Sequence, residues 1–182
     1  MSFFSSVLVL ALFIFLILGC LFLLTPIFSR VPYIPTRRKV IRDVLKEMNF
    51  KDGDVLYDLG CGDGRFLFTA LKCHSNITCV GVEKAPFPFL LAKFRQIWSG
   101  NKNISIIYGD LFKTDTSSAT HVFVYLFPKF MDRLLPKFEK ELKPGTRVFS
   151  CAFEFSNKKP SQILDFKSKS YQLNQRIYFY DF

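Results

Sequence analysis

The first 29 residues of this 182-residue chain contain no charged side chain, and Arg30 is the first. They include an apolar run, Val7–Leu24, that only Gly19 and Cys20 interrupt. A run of this length reaches the lower limit for a helix that crosses the hydrocarbon core of a bilayer. The chain lacks the basic residues that precede the apolar segment of a signal peptide, and the run continues past Gly19-Cys20, which resembles a lipoprotein cleavage site. These features favour an uncleaved transmembrane helix over residues 1–28 rather than a cleaved signal.

The cysteines are few and are not spaced for a shared structural role. Their number is odd and no C-x-x-C pair occurs, which argues against a disulfide framework or a zinc site. We therefore expect reduced thiols, as in a cytoplasmic protein, and no metal site. The five cysteines are Cys20, Cys61, Cys73, Cys79 and Cys151.

Acidic residues are outnumbered: 25 Lys and Arg stand against 15 Asp and Glu, and residues 30–182 carry the whole net charge of +10. Basic residues crowd the C-terminal side of the apolar run, so the positive-inside rule places the N-terminus outside and the following domain in the cytoplasm. A basic domain at a bilayer suits an anionic lipid surface. Nucleic acid and a solvated basic face are alternatives that charge alone leaves open. The crowded residues are Arg30, Arg37, Arg38, Lys39 and Arg42.

Three prolines in residues 25–36 predict an extended neck after the apolar run. Residues 37–48 then carry apolar side chains at helical spacing, with Thr36 as a candidate N-cap. We interpret residues 29–50 as the neck and a lid helix, and residues 51–182 as the ligand-binding domain, with no further domain appended.

Apolar strand-like runs alternate with helical patterns through this domain. Such alternation predicts an α/β fold with a mostly parallel sheet covered on both faces. The last two strand-like runs have no helix between them, which predicts an antiparallel edge at the C-terminal end. Strands are predicted at 55–59, 77–83, 104–108, 121–127, 146–153, 162–166 and 176–180, and helices at 66–72, 87–98 and 129–142.

Three glycines, Gly60, Gly62 and Gly64, follow the first predicted strand and precede a helix. Glycine lets a backbone turn sharply and approach a ligand closely, and ligands of open α/β sheets bind beyond the carboxyl ends of strands. Arg65 stands where the dinucleotide pattern G-x-G-x-x-G requires its third glycine, which disfavours a pyrophosphate site. Asp58, just before the glycines, suits a cationic ligand. The methionine part of S-adenosylmethionine offers an amine for Asp58 and a carboxylate for the backbone N–H groups at the helix start.

Two further strand ends carry acidic residues. Glu83 ends the second strand about twenty residues after the glycines, where an acidic side chain reaches a ribose diol. Asp110 follows the third strand and is placed to accept a hydrogen bond from an adenine amino group, with Leu111 packing on the ring. A solvated strand-end carboxylate for Glu83 and a loop turn at Asp110 are the alternative interpretations.

The segment Tyr125–Pro128 ends the fourth predicted strand, which should lie beside the first strand and next to the ligand. A proline stiffens such a loop, and a tyrosine there can orient a nucleophile. We therefore predict Tyr125 and Pro128 as catalytic residues, with a buried aromatic side chain at a strand end as the alternative. His121 falls at the opposite, N-terminal end of this strand and is predicted to be structural.

The block Tyr57–Arg65, the pair Gly109-Asp110 and the Tyr125–Pro128 loop resemble the class I S-adenosylmethionine-dependent methyltransferases. The neck Pro32–Thr36 and the Tyr-Leu-x-Pro loop resemble, more narrowly, small membrane-anchored protein-lysine N-methyltransferases. These are relatives of the mitochondrial enzymes that modify the ATP synthase c-subunit and the adenine nucleotide translocase. The resemblance covers Val31–Phe182. It implies a Rossmann-like sheet, S-adenosylmethionine as methyl donor and a lysine of a membrane protein as acceptor.

Three rival functions share part of this pattern. One is a methyltransferase for a lipid or quinone head group, and another is a tethered cofactor-binding module without catalysis. The third is a nucleic-acid methyltransferase, but its usual Asn/Asp-Pro-Pro-aromatic loop is absent, so we expect no nucleic-acid partner. Fold alone does not decide among substrates.

Overall fold

Helices and strands alternate along the chain as the hydrophobic pattern predicts. The computed structural model describes residues 3–29, 38–166 and 175–182. Its helices are α1 (Phe3–Ser29), α2 (Arg38–Glu47), α3 (Arg65–Cys73), α4 (Pro86–Ser99) and α5 (Pro128–Glu141). Its strands are β1 (Val55–Leu59), β2 (Thr78–Glu83), β3 (Ile104–Tyr108), β4 (His121–Val124), β5 (Arg147–Cys151), β6 (Gln162–Phe166) and β7 (Gln175–Asp181).

The strands form one seven-stranded sheet in the order β3-β2-β1-β4-β5-β7-β6. Strands β1 to β5 pair in parallel, and β7 runs antiparallel to both β5 and β6. Apolar side chains of α2, α3 and α4 pack on one face, and those of α5 pack on the other. The predicted α/β fold, with a mostly parallel sheet and an antiparallel C-terminal edge, is therefore confirmed.

Two strands end earlier than the sequence predicts. Strand β4 ends at Val124 rather than at residue 127, because Pro128 begins α5 and the three residues before it form the connecting loop. Strand β5 ends at Cys151 rather than at residue 153, because Ala152 adopts a positive φ of 70° that takes the chain out of the sheet. Both corrections lie at the carboxyl edge of the sheet, where loops rather than strands line a ligand site.

Helix α1 continues through Pro26 to Ser29, one residue beyond the end of the predicted anchor. The prediction that prolines keep residues 25–36 extended is therefore wrong for residues 25–29, since a proline near a helix end forfeits only one hydrogen bond. The rest of the neck, with Pro32, Pro35 and Thr36, lies outside the described residues. By length and composition Phe3–Leu23 qualifies as a membrane span, and none of it is buried inside the protein; a signal sequence near an N-terminus meets the same criterion.

Helix α2 packs into the core instead of standing above the sheet. Its apolar side chains are buried against the same face as α3. The backbone carbonyl of Met48, just beyond its C-terminal end, lies 2.9 Å from Nε2 of His121 at the start of β4. This helix therefore ends at the N-terminal edge of the sheet, and His121 fills a structural position there, as predicted. The prediction that residues 29–50 form a neck and a lid helix stays a prediction, because residues 30–37 lie outside the described residues.

Candidate active site

Four loops meet at the carboxyl edge of the central strands. The glycine loop that follows β1 is tied to β2, since the N–H groups of Gly60 and Cys61 both donate to the carbonyl of Val82, at 2.8 and 3.1 Å. The loop after β3 is tied in turn to β2, through the Gly109 N–H and the Glu83 carbonyl at 3.0 Å. The sheet order thus brings the predicted cofactor residues of three separate segments into one place.

The glycine loop has a backbone conformation that other residues rarely adopt. Gly60, Gly62 and Gly64 have φ values of 88°, 56° and 74°. A Cβ on Gly64 would also lie 2.9 Å from the ring of Phe68, in the first turns of α3. Gly64 therefore meets both conditions that the sequence motif implies, a left-handed turn and close packing around it, whereas Gly60 meets only the first. On Gly60 a Cβ would meet Leu126, from the loop after β4, at an ordinary contact distance of 3.5 Å.

The carboxylate of Asp58 is buried, with 3% of the residue exposed, at the carboxyl end of β1. Within the part of the chain that the structure describes, no donor forms a hydrogen bond to it. Burial, and then the negative charges of Glu83 and Asp63, raise the pKa of Asp58 well above its ordinary value. A buried acid without a partner is costly, so this position suits a cation or a donor that the described residues do not supply.

Glu83 differs from Asp58, because the protein already holds its carboxylate. Oε2 accepts from the N–H of Gly62 at 2.8 Å, and Oε1 accepts from the N–H groups of Lys84 and Ala85 at 2.9 and 2.7 Å. Burial raises the pKa of Glu83 although these three bonds oppose the rise. A carboxylate has about four lone-pair sites, so a further donor can still bind Oε2. Glu83 therefore braces the glycine loop and keeps one site for a ligand.

Asp110 lies on the same edge and is only a quarter exposed. Its Oδ1 accepts from the N–H of Phe112 at 3.0 Å, and its Oδ2 forms an ion pair with Nζ of Lys84 at 2.9 Å. Burial would raise the pKa of Asp110, but the Lys84 contact and the Phe112 N–H outweigh it and lower that pKa. Leu111 is half-buried against the core on the α5 side of the sheet, and its contact with an adenine ring stays a prediction.

The predicted catalytic segment lies where β4 gives way to α5. Tyr125 is half-buried against the core on the α3 side of the sheet, and Pro128 is exposed at the first position of α5. Phe127, between them, packs with its ring centroid 5.6 Å from that of Phe153, in the loop after β5. The rings of Phe127 and Phe153 therefore form an aromatic wall beside the edge at which Gly60 and Leu126 approach each other.

The sequence interpretation missed one part of the site. Asp63, in the middle of the glycine loop, is 3% exposed and forms ion pairs with two arginines. Arg65 reaches it with Nε and NH2 at 2.9 and 2.8 Å, and Arg95 of α4 reaches it with NH1 at 2.7 Å. Burial would raise the pKa of Asp63, but these hydrogen bonds and charges lower it to about 2. The local Asp63-x-Arg65 spacing was visible in the sequence, whereas nothing in it marked Arg95.

Comparison with known proteins decides what kind of enzyme this edge serves. Residues 58–162, more than half of the chain, match the family described as the ANTKMT methyltransferase domain. The chain belongs to this methyltransferase family. It is an S-adenosylmethionine-dependent methyltransferase, which confirms the predicted cofactor and sets aside a module without catalysis.

Relatives of this methyltransferase carry a narrower description. It is 39% identical over 151 residues to a protein-lysine N-methyltransferase of Saccharolobus islandicus (strain REY15A), a match that covers 82% of this chain and 92% of that protein. It is 32% identical over 142 residues to the Homo sapiens lysine N-methyltransferase that is named for the c-subunit of ATP synthase, covering 76% of this chain and 60% of that protein. The chain therefore spans less than two thirds of the human relative.

One similar solved structure has a different description. It is an RNA methyltransferase from Salinibacter ruber in complex with S-adenosyl-L-homocysteine, with a TM-score of 0.74 and 32% sequence identity, and the match covers 81% of this chain and 93% of that one. The Rossmann-like methyltransferase sheet predicted from the sequence is confirmed by this likeness. The methyltransferase family is shared, while the acceptors for which the relatives are named differ.

The residues of the methyltransferase fit its cofactor. S-adenosylmethionine carries a cationic amine, and Asp58 is a buried carboxylate with no donor among the described residues. It also carries a carboxylate, and the positive-φ glycines precede α3, whose first N–H groups lack helical partners. Glu83 keeps an acceptor site for a diol. Each charged end of the cofactor thus has a counterpart at this edge.

Proposed function

We propose that this methyltransferase modifies a lysine side chain of a membrane protein, and that α1 anchors it in the bilayer beside that substrate. The observation that carries the proposal is the 39% identity to a protein-lysine N-methyltransferase, over a match that covers 92% of the relative. The human relative, by its name, acts on a component of ATP synthase. An aromatic wall at the carboxyl edge supports an amine acceptor, because such a surface admits a lysine stem.

The residues proposed to hold the cofactor come from the ends of three neighbouring strands. Asp58 pairs with the amine, and the N–H groups around Gly60, Gly62 and Gly64 bind the carboxylate. Glu83 accepts from the ribose diol with the lone-pair site that the backbone leaves open. Asp110 accepts from the adenine amino group, and Leu111 packs on the ring. When bound, the cofactor supplies an electrophilic methyl group on a sulfonium, and the protein supplies alignment.

Tyr125 and the backbone around Pro128 are proposed to orient the attacking nitrogen. A lysine has an ordinary pKa of about 10.4, so it must lose a proton before its lone pair can attack the methyl carbon. A half-buried aromatic surrounding disfavours the ammonium and releases that proton to solvent. The cofactor would supply the methyl group, and its sulfur would keep the electrons of the C–S bond that breaks as the N–C bond forms. In this proposal Tyr125 acts on the acceptor and not on the cofactor.

The anchoring proposal rests on α1 and on the charges that follow it. Residues 1–28 form the anchor, residues 29–50 the neck and lid helix, and residues 51–182 the catalytic domain. The basic residues from Arg30 to Arg42 favour a single-pass arrangement with the N-terminus outside and the domain in the cytoplasm. A substrate lysine close to the bilayer surface is then within reach.

A labelled-methyl assay tests the acceptor. Membranes are incubated with the full chain and methyl-labelled S-adenosylmethionine, at a concentration below saturation, and then separated into protein, lipid and RNA, with Asp58→Asn as the impaired control. We expect label in protein, at a lysine identified by mass spectrometry, and strongly reduced label with the control. Label confined to lipid would contradict a protein acceptor and support the lipid or quinone alternative.

An RNA acceptor is the second candidate function. The similar Salinibacter ruber structure is described as an RNA methyltransferase, and a net charge of +10 suits a phosphate backbone. The RNA fraction of the same assay separates this candidate from the first. Label in RNA that Asp58→Asn abolishes would replace the lysine proposal.

A further inference from the structure

Helix α4 has an apolar surface that faces away from the sheet. Ala92 and Pro88 on its inner side are buried, whereas Phe94, Ile97 and Trp98 are 63%, 72% and 83% exposed. At 3.6 residues per turn the outward apolar side chains fill an arc of about 120°. We name this surface the α4 apolar stripe, and its members are Phe87, Leu90, Leu91, Phe94, Ile97 and Trp98.

The edge of the sheet beside α4 also exposes apolar side chains. Strand β3 is an outermost strand, and its last residues Ile107 and Tyr108 are exposed. The ring of Tyr108 lies 5.1 Å from that of Phe89, on the inner side of α4. Contiguous exposed apolar surface of this kind marks a site of protein or membrane contact rather than ordinary solvated surface.

The contact between α1 and α4 indicates which partner covers the stripe. The ring of Phe22 packs edge-to-face on that of Phe87, with centroids 5.4 Å apart. Phe22 is the next-to-last residue of the apolar stretch Phe3–Leu23. If that stretch spans a bilayer, Phe22 lies where hydrocarbon meets head groups, and Phe87, at the start of the stripe, lies at the same depth.

The composition of α4 suits that depth. Tryptophan is enriched at membrane interfaces, where its ring is partly apolar and partly hydrogen-bonded, and Trp98 is the most exposed member of the stripe. Lys93 and Arg95 flank the stripe on its two sides, and the chain is strongly basic. Helices that lie in an interface combine such an apolar face with flanking cations that attract anionic lipids.

We propose that the α4 apolar stripe lies in the interfacial layer of the bilayer that holds α1, with Trp98 among the upper acyl chains. The proposal rests on the anchoring part of the proposed function. It fixes the domain at two points, α1 and α4, and so fixes its orientation. The cofactor edge, which Tyr108 and Asp110 border, is then held next to the membrane surface instead of turning freely about the neck.

Trp98 is the only tryptophan of the chain and reports directly on this arrangement. The full chain is reconstituted into vesicles of phosphatidylcholine and phosphatidylglycerol, with and without bromine-labelled acyl chains. We expect blue-shifted emission that brominated lipid quenches and aqueous acrylamide does not. A matched control, Trp98→Phe with Lys140→Trp, moves the tryptophan to an exposed position on α5, on the opposite face of the sheet. It should give the reverse pattern.

A second variant, Phe94→Glu, places a charge in the middle of the stripe and should shift Trp98 emission back toward that of a solvated ring. Trp98 quenched by acrylamide but not by brominated lipid would overturn the proposal. So would a Trp98 shielded from both quenchers, because a second copy of the chain or another protein would then cover the stripe. Flotation with the vesicles distinguishes failure of the anchoring proposal from failure of this inference. If the chain does not float, the anchoring proposal itself is wrong. If it floats but Trp98 is solvated, only the placement of the α4 apolar stripe is wrong.

Discussion

Asp58 and Glu83 are two buried carboxylates at neighbouring strand ends, yet the protein treats them differently. Three backbone N–H groups satisfy Glu83, whereas no donor to Asp58 is found in the described ranges. At the residue scale this contrast separates a side chain that stabilises the loop from one that is proposed to bind a ligand. It gives the site its sharpest test.

Replacing Asp58 with Asn should stabilise the cofactor-free protein at neutral pH and weaken cofactor binding. Because the folded-state pKa of Asp58 is raised, its favourable contribution is present below the ordinary carboxyl pKa and is lost as pH rises toward the folded value. The variant avoids that loss, so thermal unfolding should show a higher Tm at pH 7 and a smaller difference at acid pH. Calorimetry should show binding weaker by about 2 kcal/mol or more, roughly 30-fold.

Asp115→Asn is the matched control, since that acid is exposed and lies outside the site. It should leave cofactor affinity unchanged. Unaltered affinity in Asp58→Asn would remove the proposed amine contact.

Asp63 should give the opposite dependence of stability on pH. Its folded-state pKa is lowered to about 2, so its contribution is present above the ordinary carboxyl pKa and is lost as pH falls from about 4 to about 2. That contribution is about 2 kcal/mol. In urea unfolding, the difference in the free energy of unfolding between the wild type and Asp63→Asn should therefore become smaller as the pH falls through this window. The control Asp181→Asn, at an exposed ion pair with Arg147, should differ little from the wild type at any pH. A difference for Asp63→Asn that stays constant with pH would contradict the prediction.

At the scale of elements, the glycine loop connects strand β1 to helix α3 and is braced from both β2 and α4. Its left-handed glycines differ in how much space surrounds them. Gly100, after α4, is also left-handed but has open space around it. Comparing an alanine substitution at Gly64 with one at Gly100 therefore separates the cost of backbone strain from the cost of steric overlap.

Gly64→Ala should destabilise the protein more than Gly100→Ala. Both glycines have positive φ, 74° and 61°, but a Cβ on Gly64 meets the Phe68 ring at 2.9 Å and one on Gly100 meets nothing within 4 Å. Left-handed strain alone costs about 1–2 kcal/mol, so Gly100→Ala should lose about that much, and Gly64→Ala about 1 kcal/mol more. Denaturant unfolding measures both. Equal losses would mean that the Phe68 ring moves aside freely.

The sequence predicts most elements but not how they meet. The bounds of β1, β3 and β6 match the prediction because apolar runs end at turn residues. The end of β4 was missed because Tyr125 to Phe127 continue the apolar run, and only the start of α5 at Pro128 ends it. The Asp63–Arg95 pair joins residues from different elements and depends on how α4 packs. A helix rich in apolar residues was predicted at α4, but its outward face became visible only when the packing was known.

For the whole molecule, charge distribution is proposed to set the direction in which α1 inserts. Substituting the basic residues after the span with Gln should make α1 insert in both orientations. The positive charge on this side of α1, against the uncharged N-terminal side, is what favours one orientation. Protection of an N-terminal tag from protease added to sealed vesicles measures this. The residues to be changed are Arg30, Arg37, Arg38, Lys39 and Arg42.

The control for this prediction neutralises the same number of charges far from the span and should leave the orientation uniform. A mixed orientation in the control as well would mean that total charge, rather than its position, directs insertion. The control residues are Lys102, Lys129, Lys140, Lys158 and Lys159.

The cofactor groups that the protein is proposed to bind all lie away from the methyl group. In this proposal Asp58 binds the amine, the glycine loop binds the carboxylate, and Glu83 and Asp110 bind the ribose and the adenine. The spent cofactor keeps every one of these groups, so the site discriminates poorly between donor and product. Product inhibition follows, and turnover in a cell is governed by the ratio of fresh to spent cofactor more than by the amount of donor.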